Sequence, residues 1–183
     1  MAGKFIVKVK KVSYKTNYRL QFINITKEVE DFIKQSGIKK GIVVVQTHHT
    51  TCGVWVNEDE KNLIGSDGQN DNSDLKRVLD RFANPEEEWG HNDVRDSRNP
   101  KGKRDTHLCV PDENGRIREC INGHAHAQAM ILQSSITMII DKGKLVKGKW
   151  QQIMLIEMDH DRERKITILV QGVGKEKKNK ELA

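Results

Sequence analysis

The chain is poor in cysteine, proline and aromatic residues, and it contains no long apolar run. Three cysteines, Cys52, Cys109 and Cys120, with no C-x-x-C pair, are too few for a disulfide framework. They read as free thiols in a reducing compartment, with room for at most one bridge. No stretch approaches the roughly 20 apolar residues that a membrane-crossing helix needs. Met1 to Phe5 is followed by neither an apolar segment nor a small-residue cleavage site, so the expected location is the cytoplasm. Aromatics are 5% of the residues, too few to furnish stacking platforms for single-stranded nucleic acid.

What remains is the composition of one ordinary domain: 183 residues, 36% hydrophobic and 32% charged, long enough to bury a core without staples. The formal net charge of +6 equals that of the first twenty residues, where Lys4, Lys8, Lys10, Lys11, Lys15 and Arg19 stand without an acid. A lysine row on an early strand reads as a solvated face or a protected sheet edge, and nucleic acid is not an expected partner.

Hydrophobic periodicity places the elements. Phe5, Val7 and Val9 alternate with polar neighbours, and Leu20, Phe22 and Asn24 continue a period of two beyond Ser13 to Asn17, which predicts an N-terminal hairpin. Thr26 is placed to cap a helix carrying Val29, Phe32 and Ile33 on one face, with Gly37 at its end. Ile42 to Val45 reads as a buried strand that delivers Thr47-His48-His49-Thr50-Thr51, followed by a strand over 53–57. After a polar loop over 64–73, Ser73 or Asp74 caps a helix with Leu75, Val78, Leu79 and Phe82 on one side, stopped by Asn84-Pro85. The 92–121 stretch lacks helical period and reads as an insertion with short strands over 106–110 and 116–121. An Ala-rich helix follows Asn122-Gly123, and strands over 135–140, 150–158 and 165–172, with short joins, are expected to pair antiparallel with one another. The fold class is therefore α+β: a mostly antiparallel sheet curled into a barrel or sandwich with about three helices. One domain spans 1–174, and the lysine-rich 175–183 is a disordered tail.

Five of the seven histidines fall in three clusters, His48-His49, His91 and His124-x-His126, each at a boundary between regular structure and loop. Neutral imidazole is a common zinc ligand, and three of them with an open fourth position make a catalytic centre. Neighbours on a strand point to opposite faces, so each pair offers one ligand. Thr50, Thr51, Asn57, Glu58 and Asp59 follow the first pair. Glu58 is a candidate general base or a holder of a histidine proton, unless Asn57-Glu58-Asp59 merely opens a helix over 61–64. Asn122-Gly123 offers backbone amides to an anion, with Ser134, Ser135 and Arg164 as further phosphate contacts. A rival metal set is His107, Cys109, Cys120 and His124.

Taken together and in order, His49-Thr50-Thr51, Asn57-Glu58, Trp89-Gly90-His91, Ala125-His126, Gly148-Lys149-Trp150-Gln151, Glu157 and Arg164 resemble the YjbQ-like family over roughly residues 4 to 172. The resemblance implies an α+β fold with a barrel-like antiparallel sheet, a homotrimer, and a pocket near the matched histidines. It further implies a secondary thiamine-phosphate synthase, joining a pyrimidine diphosphate to a thiazole phosphate with loss of diphosphate. Carried over by position, His49, His91 and His126 bind a divalent metal, zinc or magnesium, or the substrate phosphate. Glu58, His49 and Asn57 are the catalytic candidates. Thr50, Thr51, Asn122, Ser134, Ser135, Gln151 and Arg164 hold a small phosphorylated molecule, unless Arg164 simply pairs with Glu157. Lys149 stands where threonine is usual, Gln133 where glycine is usual, and 92–121 is longer than expected. The competing readings are a metabolite- or metal-binding protein without catalysis, and a basic RNA-associated factor.

Overall fold

Period-two alternation builds two antiparallel sheets in the computed structural model, which describes residues 3–65, 73–106, 108–109, 111, 113–115, 117 and 119–175. The strands are β1 (Lys4–Lys15), β2 (Gln21–Asn24), β3 (Ile38–Thr47), β4 (Cys52–Glu58), β5 (Ser135–Asp141), β6 (Lys144–Leu145), β7 (Gln151–Glu157) and β8 (Glu163–Gly174). One sheet has five strands in the order β1-β8-β3-β5-β6, the other three in the order β2-β7-β4. The helices are α1 (Thr26–Ser36), α2 (Lys61–Ile64), α3 (Asp74–Phe82) and α4 (Gly123–Ile131), with a 3-10 turn at Gly90–Asn92. The mostly antiparallel α+β architecture is the one the sequence predicts.

β7 explains the layering. Ile153 and Leu155 point into the main core with α1 and strands of both sheets, whereas Met154 and Ile156 point the other way, onto Leu79 of α3 and Ala125 of α4. A strand apolar on both faces must be covered on both, and each such side chain gains about 1.5–3 kcal/mol by leaving water. The order is thus five-stranded sheet, core, three-stranded sheet, second core, helices. α1 buries Val29, Phe32 and Ile33 and ends where Gly37 turns left-handed at φ 79°. Between β5 and β6, Lys142 and Gly143 have φ of 51° and 76°, the left-handed pair that a two-residue hairpin turn requires.

Four expectations are corrected. β1 and β2 do not form a hairpin: β1 pairs with β8 and β2 with β7, in different sheets. The final strands do not pair among themselves either, because the short 158–162 join passes from one sheet to the other, and β8 inserts between β1 and β3. Thr26 is not the cap of α1. Ile25 holds that position, and Thr26 Oγ1 instead accepts from Ile153 N at 2.8 Å, tying helix to sheet. The 106–121 segment forms no strand pair among the described residues, its nearest ladder contact being the bridge Val94–Arg104.

That segment also overturns the free-thiol reading for two of the three cysteines. Cys109 and Cys120 are joined by a disulfide with Cα atoms 5.5 Å apart, and Cys52 alone is free. The same bond removes both thiolates from the rival Cys/His metal set, whose His107 lies outside the described residues. Most of the polar loop, 66–72, and all but Lys175 of the tail also lie outside them.

Candidate functional site

Antiparallel register gathers one end of the sandwich. The C-terminus of β3 lies beside the start of β8 through the pair Thr47–Ile166, and the start of β4 meets the end of β7 through Cys52–Glu157. The end of β1 and the start of β2 are held there as well, by Lys15–Glu163 and Gln21–Glu157. Side chains far apart in sequence are therefore neighbours in this one region.

Its innermost layer is an ion pair. Arg164, 2% exposed, makes a two-pronged contact with Glu157, which is fully buried, through Nε and Nη2. Arg164 Nη2 also donates to Thr51 Oγ1 at 3.1 Å, while Glu157 accepts from Thr16 Oγ1 at 3.1 Å and from Asp159 N at 2.8 Å. Of the two roles open to Arg164, the pairing with Glu157 is the one built. A buried guanidinium so engaged is spent on the carboxylate, and Thr51 is engaged with it.

Outside this layer Asp159 Oδ2 accepts from Asn122 Nδ2 at 3.0 Å and from Arg162 Nη2 at 2.6 Å. Arg162 reaches on to Glu119 through Nη1. Asn122 precedes α4, and its Oδ1 is buried with no partner among the described residues. Gly123 follows because nothing larger fits: a Cβ there would stand 2.6 Å from Trp89 Cβ. Gly123 N donates to Asn92 Oδ1 at 2.9 Å, which ties the 3-10 turn to the start of α4.

This tie brings His91 and His126 together, with ring centroids 4.6 Å apart in an edge-on contact. Arg104 Nη1 lies against the His91 ring, 3.2 Å from Nδ1 and closer to Nε2. Burial on its protein-facing side, then Arg104 and His126, hold the His91 imidazole below its usual pKa, with a contact to the Asn122 side chain opposing, although the residue as a whole is open to solvent. Burial does the same for His126, with Asp159 opposing. Both rings are therefore neutral at neutral pH.

His49 stands apart from that contact. Its Nε2 accepts from Lys165 N at 2.8 Å, and burial, then Arg164, lower its pKa. His48, in the bend just past β3, has Nε2 2.7 Å from Thr167 Oγ1 instead. Thr50 is exposed on the same turn, and Ser134 and Ser135 are exposed where β5 begins, Ser135 opposite Gln46. Asn57, Glu58 and Gln151 lie at the opposite end: Glu58 pairs with Gln151, and β4 from Cys52 to Glu58 spans six steps of about 3.3 Å, roughly 20 Å. Gln151 Oε1 accepts from Gly148 N at 2.7 Å. Nor does Glu58 open the short helix: Glu60 caps it, accepting from Asn62 N and Leu63 N at 3.0 Å. A cavity of about 670 Å³ lined by Tyr14, Asn24, Asp59 and Lys61 includes none of the three histidines.

The metal expectation can be tested on this donor set. Two neutral imidazoles meet, but a guanidinium lies against one of them, and the third ring is bonded elsewhere. No group of three or more His, Cys, Asp or Glu suited to a metal ion occurs among the described residues. Within one chain the three imidazoles do not form the three-ligand set of a catalytic zinc site.

The sequence pattern of the family described as UPF0047 protein YjbQ-like matches residues 10–173. The chain belongs to that family. It is 27% identical over 158 residues to a UPF0047 protein of Methanothermobacter thermautotrophicus, covering 86% of this chain and 87% of that one. It is 28% identical over 164 residues to the UPF0047 protein YugU of Bacillus subtilis, covering 90% and 99%. Among solved structures, a YbjQ-like protein of unknown function from Sulfolobus solfataricus superposes with a TM-score of 0.71 at 27% identity, over 92% of this chain and 99% of that one. An Aeropyrum pernix protein gives 0.69 at 28%, over 90% and 98%.

Sequence reasoning did not single out Arg104, Asp159 or Arg162. For Asp159 a signal existed: Glu157 and Asp159 interrupt an otherwise apolar strand end, and buried carboxylates there require cationic partners. For Arg104, one basic residue in a polar segment, there was none.

Proposed function

We propose that this member of the YjbQ-like family binds a small phosphorylated molecule beside His91, His126 and Asn122, and acts on it as a transferase of the secondary thiamine-phosphate synthase type. The observation that carries the reading is the His91–His126 contact, with Arg104 against it, at the start of α4. Neutral rings donate and accept hydrogen bonds to a phosphate ester, while the Arg104 guanidinium supplies fixed positive charge for oxygens that gain charge as diphosphate leaves.

The step asks for little else. The thiazole nitrogen attacks the methylene carbon of the pyrimidine diphosphate, a C–N bond forms, the C–O bond breaks, and diphosphate departs. That nitrogen carries no proton, so the remoteness of Glu58 within one chain is no obstacle, and no step is routed through a metal. Exposed Phe5, Val7, Val9, Ile139 and Val173 on the outer face of the five-stranded sheet favour self-association, as a homotrimer requires.

The test is to assay purified protein with both phosphorylated substrates and look for thiamine phosphate. Formation abolished by His126→Ala supports the reading, and formation no greater than in that variant removes it. One observation favours a second reading, a binding protein without turnover: Asp159, Glu157 and Arg164 are all engaged with protein partners, leaving few groups free for chemistry. A phosphorylated ligand that co-purifies unchanged in native mass spectrometry would favour it.

A further inference from the structure

The Cys109–Cys120 bond reaches the histidine pair through one side chain. Arg104 Nη2 donates to Cys120 O at 2.8 Å and lies 3.9 Å from Cys109 Sγ, while Nη1 of the same guanidinium lies against His91. On either side of Cys120 in the chain, Glu119 binds Arg162 and Asn122 binds Asp159. The residues that set the site's charge and shape are therefore anchored at the disulfide.

Beyond the disulfide, the described residues of this segment are held mainly by polar contacts, among them Arg98 Nη1 to Gly115 O at 2.7 Å and the exposed ion pair of Arg162 with Glu119. Its apolar cluster among the described residues is Val94, Ile117 and the two cysteines themselves, and Val94–Arg104 is an isolated bridge. A segment tied to the body by surface polar contacts and by a cluster separate from the main core opens independently of that core. Cys109 and Cys120 are buried, 3% and 2% exposed as residues, so a reductant meets the bond on such an opening. Cys52 is a poor exchange partner: it lies in the main core, and burial pushes its thiol up to about 11.

We propose that Cys109 and Cys120 form a redox-operated strap, closed in the disulfide state with Arg104 held against His91, and released in the dithiol state so that the segment leaves the His91–His126 pair. Release consumes an external dithiol. One of its thiolates attacks a disulfide sulfur, its second thiol displaces the resulting mixed disulfide, and two electrons and two protons end on Cys109 and Cys120 while the reagent leaves as a cyclic disulfide. Closure is the reverse, driven by a disulfide oxidant. In a reducing compartment the strap rests open and closes on oxidation.

The test needs no substrate, so its outcome is independent of the transferase reading. Protein purified without reductant is denatured and alkylated: Cys52 alone should react before treatment with dithiothreitol, and all three cysteines after. On the folded protein, dithiothreitol should speed tryptic cleavage after Arg95, Arg98, Lys101, Lys103 and Arg104 by about tenfold or more, with the β-sheet circular dichroism unchanged. Cys52→Ser should respond in the same way. The double variant Cys109→Ser/Cys120→Ser should be cleaved at the faster rate with or without dithiothreitol. If that variant does not fold, the response of the wild type decides. Three reactive thiols before reduction, or a cleavage rate that dithiothreitol leaves unchanged, overturns the strap.

Discussion

Two polar clusters share one end of the sandwich, and they are built in opposite ways. Around Glu157 and Arg164 every charge is buried and answered, by a two-pronged ion pair and by hydrogen bonds from Thr16, Asp159 N and, on the arginine, to Thr51. Around His91 and His126 the rings touch edge-on, His91 remains open to solvent, and Asn122 Oδ1 and both ring nitrogens of nearby His124 lack partners among the described residues. A fully answered buried cluster holds strand ends in place. One with unanswered polar atoms carries stored capacity for a ligand, because leaving such atoms unpaired costs free energy that a bound molecule can recover.

The contrast breaks most visibly at the ion pair. Arg164→Met leaves the Glu157 carboxylate uncompensated in the interior and should cost about 3–5 kcal/mol, measured by urea unfolding. Adding Glu157→Leu to that variant should return much of the loss, since an apolar pair of similar volume avoids the desolvation of both charges. A loss under about 1 kcal/mol for Arg164→Met alone would mean that the cluster is not the closed structural unit described here.

His126→Ala and Arg104→Gln should behave in the other way. Both side chains are half-buried and outside the two cores, and the change in unfolding free energy should stay within about 0.5–1.5 kcal/mol, well below that of Arg164→Met. Affinity for a phosphorylated ligand, followed with thiazole phosphate by calorimetry, should fall about tenfold with the loss of one charge-assisted contact. Unchanged affinity in both variants would move the ligand elsewhere. Metal content sharpens the same point. Zinc should be substoichiometric in the wild type and no different in His49→Ala, His91→Ala and His126→Ala, and one equivalent lost in all three would restore the three-imidazole centre.

The two clusters were not equally legible in the sequence. Strands and helices followed from pattern, because Val29-x-x-Phe32-Ile33 and the alternation in β1 state which face is buried, and the run Ile42 to Val45 marks a strand of the interior. Partners of strands did not follow. β8 inserts between β1 and β3 through pairings more than a hundred residues apart, and nothing local encodes that choice. Within the site, His126 was legible from the Ala-His start of α4 and His91 from its neighbour Trp89. Their contact depends on Asn92 Oδ1 meeting Gly123 N, a tie made in three dimensions only. The disulfide escaped for the same reason, since two cysteines eleven residues apart in a polar segment look alike whether bonded or free.

The smallest effect separates the clusters by pH. Burial holds His49, His91, His124 and His126 below the usual imidazole pKa, with Arg164 adding to it at His49, Arg104 at His91 and Arg19 at His124. In the unfolded chain each returns to about 6.5. Above that value both states carry neutral rings and the stabilisation is complete. As pH falls below it, the unfolded chain takes up protons first, and stability is lost until the lower folded pKa values are passed. His124 should contribute clearly, being 6% exposed, with Asp159, Asp80 and the Met158 backbone only partly offsetting its burial. His124→Leu should therefore flatten the fall in urea midpoint between about pH 7 and pH 5 relative to the wild type. An equally steep fall in the variant would place the acid sensitivity elsewhere, and the cluster around α4 would then be no more loosely satisfied than the ion pair beneath it.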